Sequence, residues 1–559
     1  MRDSALHSGG LVIPKLQGRD RLNKPPLSYW LQAASAAVFT AGRPLLDSIW
    51  MYRVPSLLAA IAAVLLTWRL GTSMFDSRTG RLAAALLACC PLVAWEARQA
   101  RADMVLLALN TAAMLALWRV YSLRTPRLSE SSNEASGTSL PSAPESASAR
   151  SSDLGWAITF WLTLSLAILT KGPITPLITA LTVLFLCLIS RRWRWLLALR
   201  PYLGLVIVAA VVAPWVYLVG ARVGWLAYML TVADETLGRV ASSREGHWGP
   251  PGCHTLVLAV LFWPGSLMTA AGIALAFRQG LVRATGETGG WLARLRSLNA
   301  GHAPYLFCLC WIIPAWIVFE LIWTKLPHYT LPMYPAIALL SARAVLAMDA
   351  RMIAVPRTFR IGFVAWIAIG AVLVLLWPLV RFATEQAGDY ELTEHGQRVY
   401  LAVLPTIAAA AYLFLAGRLL LRGHHARAQL AGLLVSILSV AWSTIGLAFP
   451  GFSWLWTSDR VGQRVRTIDP AGVRPVAAVG YHEDSLLFAL RGRVERIEER
   501  DLTAWFVHHP TGLAVVSRAV SQVTPGLRSL KSDPRSLGFL GFNYTKGDPV
   551  ALVIVEADR

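Results

Sequence analysis

Apolar runs approaching the ~20 residues that cross a bilayer upright recur along this chain. They lie near Trp50–Leu70, Leu82–Trp95, Asp103–Tyr121, Gly155–Thr170, Pro173–Ser190, Tyr202–Gly220, His254–Phe277, Tyr305–Trp323, Tyr329–Met348, Ile361–Val380, Tyr400–Leu420 and Leu430–Phe449. The pattern predicts an all-α polytopic membrane domain of about twelve transmembrane helices, with tilted or re-entrant segments among the shorter runs. The polar intervals between them alternate in kind. One set is rich in arginine, as at Arg69, Arg78 and Arg81, at Arg191–Arg200, and at Arg418, Arg422 and Arg427. Short arginine-rich loops stay on the cytoplasmic side. Ser129–Ser152, rich in Ser, Pro and Glu, falls in one of these loops and reads as a disordered cytoplasmic linker.

After Phe449 the pattern changes. Val476–Val479, Leu513–Val516 and Ala551–Val555 read as short buried strands, separated by helical stretches at Ser485–Arg491 and Leu502–His508. A C-terminal soluble α/β domain is therefore expected over residues 450–559. The expected division is a segment with a juxtamembrane helix over 1–49, a multi-span domain over 50–449, and the α/β domain, with the first and last on the outer side.

Composition agrees with the pattern. With 55% hydrophobic and 15% charged residues and a mean hydropathy of +0.51, the chain is too apolar for an ordinary soluble protein. Its net charge of +20 resides in short loops rather than on one face, so positive-inside topology explains it better than a nucleic-acid partner does. The six cysteines lie in or beside apolar runs without CxxC spacing and read as buried small residues.

The other set of loops changes the picture, because it carries lysine. Against 46 arginines there are six lysines, and Lys24, Lys171 and Lys325 all fall at outer helix ends beside Pro or Gly. In Asn23-Lys24-Pro25-Pro26 the prolines hold Lys24 extended and start a helix over Leu27–Phe39, whose Tyr29 and Trp30 suit a membrane surface. Lys24 alone can equally be a solvated residue on a structural surface helix. Three lysines on one face favour a site that holds an anionic group on a lipid. In Glu96–Asp103, a helix would put Arg98 and Arg101 on one face, with Asp103 opening the next run as an N-cap, an active-site acid or both. The loop over 221–253 adds Arg239 and His247. His247 can be a ligand to a divalent metal ion, the one cofactor in view, or a phosphate donor, or a solvated histidine.

These motifs carry a resemblance. Lys24-Pro25-Pro26-Leu27-x-Tyr29-Trp30-Leu31, Ala97-Arg98-x-x-Arg101-x-Asp103-Met104, Thr170-Lys171-Gly172-Pro173 and Thr324-Lys325-Leu326-Pro327-His328-Tyr329 resemble successive motifs of the ArnT-like and protein-mannosyltransferase-like enzymes, bacterial glycosyltransferases of the GT-C fold. The resemblance implies a bacterial inner-membrane enzyme. Its members take a sugar from a polyprenyl phosphate and pass it to lipid A, polysaccharide or protein at the periplasmic face. By it, Asp103 is an active-site acid, and Lys24, Arg101 and Lys325 contact the donor phosphate. Lys171 and Tyr329 line the same cavity, Arg98, Arg239 and His328 join the substrate-binding set, and His247 matches a metal-associated loop histidine. The chain departs from the family at Asn23, where an acid is usual. The family also carries a transmembrane helix and an acidic catalytic motif ahead of the Gly9–Pro14 region. The expectation is that the true start lies upstream, or that this form is a defective enzyme with only Asp103 as a substitute acid. The competing class is a non-enzymatic flippase or transporter of lipid-linked sugars, which predicts internal repeats and polar residues deep in the spans; neither is evident.

Overall fold

The computed structural model describes residues 10–16, 19–22, 24–43, 46–124, 147–241, 249–282, 303–350, 453–517, 527–529, 539–543 and 548–557, with isolated helical positions 368, 372, 407 and 411. The apolar runs expected at Ile361–Val380, Tyr400–Leu420 and Leu430–Phe449 lie outside the described residues. The chain divides into two compact units, residues 1–369 with 414–437 and residues 370–413 with 438–559.

In the first unit a two-residue antiparallel pair, β1 (Lys15–Leu16) and β2 (Arg19–Asp20), precedes helix α1 (Leu27–Thr40). Pro26 occupies its N-cap, and Ala41 and Gly42 in the left-handed region end it. Its buried positions, Ser28, Gln32, Ala36 and Thr40, recur every four residues, while Leu31, Val38 and Phe39 stay exposed. An apolar outer face over a small, polar inner face suits a helix at a membrane surface. Helix α2 (Ile49–Met74) has the same inversion at spanning length: Leu57, Leu58, Ile61 and Leu65 are exposed, and Ser56, Ala60, Ala63, Thr67 and Gly71 are buried. Small residues let helices approach within a membrane. At the turn into α3 (Ser77–Ala88) the approach is close enough that a Cβ on Gly71 would lie 2.7 Å from Gly80 Cα, so both positions require glycine.

The run expected to span at Leu82–Trp95 is instead broken. Helix α3 stops at Ala88, and a short α4 (Pro91–Glu96) begins with Pro91. Proline offers no N–H to Leu87 and is comfortable only in a first turn. A turn then leads into α5 (Asp103–Leu123), the best-buried of the long helices that begin before residue 150. Next come α6 (Ala147–Lys171), α7 (Ile174–Ser190), a 3-10 turn (Arg194–Leu199), α8 (Pro201–Val223) and α9 (Trp225–Ala241). Residues 147–152 of the expected linker therefore form the first turns of α6; the rest of it lies outside the described residues. The run expected over His254–Phe277 is two helices, α10 (Cys253–Leu261) and α11 (Ser266–Val282), bent by 119°. Helix α12 (Ala303–Leu321), a 3-10 segment (Pro327–Met333) and α13 (Tyr334–Asp349) complete the described part.

Among the described residues six helices, or seven counting the bent pair, are long and apolar enough to cross a membrane. The unit's interior is aromatic: Trp118, Phe307 and Trp311 are fully or almost fully buried, with Trp118 edge-on to Phe307 at 5.4 Å. Chain direction sets two ends. The starts of α2, α5 and α13 and the end of α6 share one, where Ser56 Oγ donates to Arg101 O at 3.0 Å. At the other, Arg343 near the end of α13 meets Asp76 and Tyr305 at 3.1 Å each.

The second unit contains a six-stranded sheet ordered β4 (Val494–Ile497), β3 (Val476–Val479), β5 (Leu513–Ser517), β8 (Asp548–Ala557), β6 (Leu527–Ser529), with β7 (Phe539–Asn543) also pairing β8. Strands β4, β3 and β5 run parallel, and β8 antiparallel to β5. The connections are α14 (Thr457–Ile468), leading into β3, then α15 (Asp484–Ala489) and α16 (Leu502–His508). Leu502, Trp505 and Phe506 of α16 cover Ala477, Val479, Ala514, Val516, Val553 and Val555. All four β3 residues are buried, the reading of a central strand covered on both faces.

Candidate functional site

Polar side chains converge where α4, α5, α6 and the 3-10 segment meet. Asp103 is the first residue of α5, after Ala102 at the cap, so the helix dipole favours its negative charge. Lys171, the last residue of α6, donates from Nζ to Asp103 Oδ1 at 2.5 Å. The following Gly172, with φ +65°, turns the chain away and leaves the amine at the helix end. His328 stands between two carboxylates, with Nε2 at 3.8 Å from Asp103 Oδ1 and Nδ1 at 4.0 Å from Glu96 Oε1. Arg101 Nη1 lies 3.6 Å from the same Glu96 oxygen. The Lys171 amine stands 5.8 Å from the centre of the Tyr329 ring, and the His328 ring meets Tyr329 edge-on at 5.3 Å.

Lys24 faces the same cluster from the first loop. Its side chain is exposed, yet surrounding protein strips enough water, with Lys171 and Arg21 adding repulsion, to bring the amine from 10.5 down to about 8. Glu96 is perturbed the other way. Burial, reinforced by the Asp103 carboxylate, pushes it up to about 7 against the pull of Arg101 and Lys171. Its Oε2 is buried and accepts no hydrogen bond among the described residues. Buried carboxylates are ordinarily satisfied, and one that is not is a place where charge can change.

The cluster unites Lys24, Arg101, Asp103, Lys171, His328 and Tyr329. Arg98 does not join it; exposed, it faces Arg53 and is lowered by partial burial and by that charge. Nor does Lys325, expected in the phosphate clamp, whose amine is bonded elsewhere in this structure. Its Nζ donates to the carbonyls of Phe319, Glu320 and Ile322 at 3.3, 2.6 and 2.5 Å, which caps the end of α12. All three donors of an ammonium are thereby engaged. The side chains of Arg239 and His247, and Asn23, lie outside the described residues. Among the described residues no three His, Cys, Asp or Glu side chains gather as a metal requires, and the one hydrogen-bonded oxygen of Asp103 already faces a lysine. The described donors therefore do not fit a divalent ion. The residue that sequence reasoning passed over is Glu96. The available signal was an acid closing the apolar run Leu92-Val93-Ala94-Trp95, one helical turn after Leu92 and so on its buried face.

Residues 23–128 match the sequence model of the dolichyl-phosphate-mannose-protein mannosyltransferase family. The undecaprenyl phosphate-alpha-4-amino-4-deoxy-L-arabinose arabinosyl transferase of Pseudomonas aeruginosa (strain UCBPP-PA14) is 28% identical over 347 residues, 61% of this chain and 53% of that protein. The protein of the same name from Erwinia tasmaniensis is 25% identical over 384 residues, 67% of this chain and 60% of that one. The matched region thus spans about half the length of the first of these curated relatives. The crystal structure of ArnT from Cupriavidus metallidurans bound to undecaprenyl phosphate is similar in fold, with a TM-score of 0.67 at 18% identity over 99% of this chain and 91% of that one.

Proposed function

We propose that this chain, an ArnT-like member of the GT-C glycosyltransferases, moves a sugar from a polyprenyl phosphate donor to a lipid A, polysaccharide or protein acceptor. The relatives' names support an aminoarabinose-type sugar and an undecaprenyl carrier. The observation that carries the reading is the ion pair of buried Asp103 with part-buried Lys171 at a helix junction, ringed by Arg101, Lys24 and His328. Arginine-rich loops at the opposite helix ends support a periplasmic site in the inner membrane, and the same reading takes residues 450–559 as a periplasmic α/β domain.

In this reading the donor phosphate settles among Lys24, Arg101 and Lys171. A phosphate competes with Asp103 for the Lys171 amine. As Lys171 turns toward the phosphate, the Asp103 oxygen is freed to accept the proton of the attacking hydroxyl or amine. The cations then stabilise the departing polyprenyl phosphate, whose charge grows as the sugar leaves. Arg98, Arg239 and His247 belong to the proposed substrate surroundings. The test is transfer of labelled sugar from undecaprenyl-phosphoryl aminoarabinose by the purified chain in lipid nanodiscs. Transfer supports the reading; tight donor binding without transfer to lipid A or to any acceptor in a membrane extract moves the chain to the carrier class.

A further inference from the structure

The mechanism above leaves one buried acid unused. Glu96 is 3% exposed, and its two oxygens are treated differently by the fold. Oε1 lies 3.6 Å from Arg101 Nη1, a distance of attraction rather than hydrogen bonding, and 4.0 Å from His328 Nδ1, and among the described residues Oε2 has no donor. A permanently ionised carboxylate in that position would be left with almost none of its hydrogen-bonding capacity met, which disfavours the charged form in a buried site.

We propose that Glu96 is a positioning residue of the phosphate subsite that gains a proton as a lipid phosphate binds and loses it as the phosphate leaves. The inference rests on the site reading above. The physical reason is charge balance. With the site empty, the cations Lys24, Arg101 and Lys171 face two carboxylates, Asp103 and Glu96. An arriving phosphate adds negative charge beside Arg101, and the carboxylate least held by hydrogen bonds, Glu96, takes up a proton from water. Once neutral, Glu96 loosens its hold on Arg101, so the guanidinium is free to turn to the phosphate. When the phosphate departs, ionised Glu96 draws Arg101 back. The groups facing Glu96 are Arg101 and Asp103 from the turn and start of α5, Lys171 from the end of α6, and His328 from the 3-10 segment. Helices α3 and α10, which also pack on α4, bring no charged group against it among the described residues. A resting carboxyl near neutrality is consistent with this exchange.

The test is the affinity of the purified full chain for undecaprenyl phosphate between pH 6 and pH 8.5, read as the ratio of the wild-type Kd to that of Glu96→Gln. Because both proteins meet the same ligand, titration of the phosphate cancels in the ratio. At pH 6 wild-type Glu96 is protonated like the amide, and the ratio is near one. Above pH 7 the ionised wild type must first take up a proton, and the ratio should rise by about 3- to 10-fold, the span of half to one unit of differential protonation. Should Glu96→Gln fail to insert, Glu96→Met removes the same charge with an apolar side chain and should give the same rise. A ratio constant across this range overturns the proposal and leaves Glu96 a structural residue. Lys171→Met separates the two readings: if it leaves binding intact at every pH, the site itself is misplaced, whereas a constant Glu96 ratio with binding abolished by Lys171→Met refutes only the role of Glu96.

Discussion

Two lysines in this protein stand at helix ends beside a carboxylate, and the fold treats them in opposite ways. Lys325 has its three donors on three backbone carbonyls, and neighbouring Glu320 accepts from Gly252 N and Thr255 N at 2.9 Å and from Thr255 Oγ1 at 2.8 Å. Among the described residues Lys171 gives its one hydrogen bond to Asp103, and next to that pair Glu96 keeps an oxygen with no partner. The first arrangement is saturated, so it fixes the end of α12 to the start of α10. The second has unmet capacity on both sides of the charge balance, which a ligand can meet. Spare hydrogen-bonding capacity in a buried charged group, rather than charge itself, separates the candidate site from the structural joint.

The sharpest way to break that contrast is to neutralise one member of each pair. Asp103→Asn keeps the shape of the site and removes its charge, and sugar transfer should fall by about 100- to 1,000-fold, the scale of losing one preorganised catalytic group. Initial rates normalised to folded protein measure it; a fall under threefold would exclude Asp103 as the base. Lys325→Met should do the reverse. Removing a cap that satisfies three carbonyls costs about 1–3 kcal/mol of stability, seen as a lower melting temperature in detergent, while transfer per folded molecule stays within a few-fold of wild type. A hundredfold loss of transfer at an unchanged melting temperature would return Lys325 to the phosphate clamp.

What the sequence made legible follows the same division. Short-range signals were readable: Pro25-Pro26 before α1, Gly172 after Lys171, and the short continuous apolar runs of β3, β5 and β8 each act within a few residues of where they stand. Lys24, Lys171, Asp103 and His328 were readable as a set because the end of each helix fixes which side its terminal residues face. Less legible were features decided by partners far along the chain. The fate of Lys325 depends on where α12 ends, and that of Glu96 on the break at Cys90-Pro91, which divides the apolar run Leu82–Trp95 between α3 and α4 and lowers Glu96 into the protein. The bend between α10 and α11 is of the same kind, hidden inside an apolar run whose hydropathy carries no direction.

The contrast also has a pH signature. With its amine near 8, Lys24 is charged below that value and loses its charge as pH rises through it. Undecaprenyl phosphate affinity should therefore weaken several-fold between about pH 8 and 9.5 beyond any change seen in Lys24→Arg, whose guanidinium remains charged. Lys325 should contribute no such step to binding, because its amine faces the carbonyls at the end of α12 rather than the phosphate subsite. Binding titrations of wild type, Lys24→Arg and Lys325→Arg read the difference; equal slopes in the first two would remove Lys24 from the phosphate subsite.

The smallest expected effect tests how Lys171 is kept available. Its amine lies 5.8 Å from the centre of the Tyr329 ring, and that ring also abuts His328. A cation over an aromatic face gains about 0.5–1 kcal/mol where it is partly exposed, and Lys171 is one-fifth exposed. The ring attracts the amine without using up a hydrogen bond, so it can hold Lys171 near Asp103 and still let it turn to an incoming phosphate. Tyr329→Phe keeps the face, whereas Tyr329→Leu removes it at comparable burial. The leucine variant should raise the Kd for undecaprenyl phosphate by about two- to fivefold, the range implied by that energy, and the phenylalanine variant should bind like wild type. If both variants weaken binding equally, the hydroxyl rather than the ring face is what matters, and Lys171 is held by Asp103 alone.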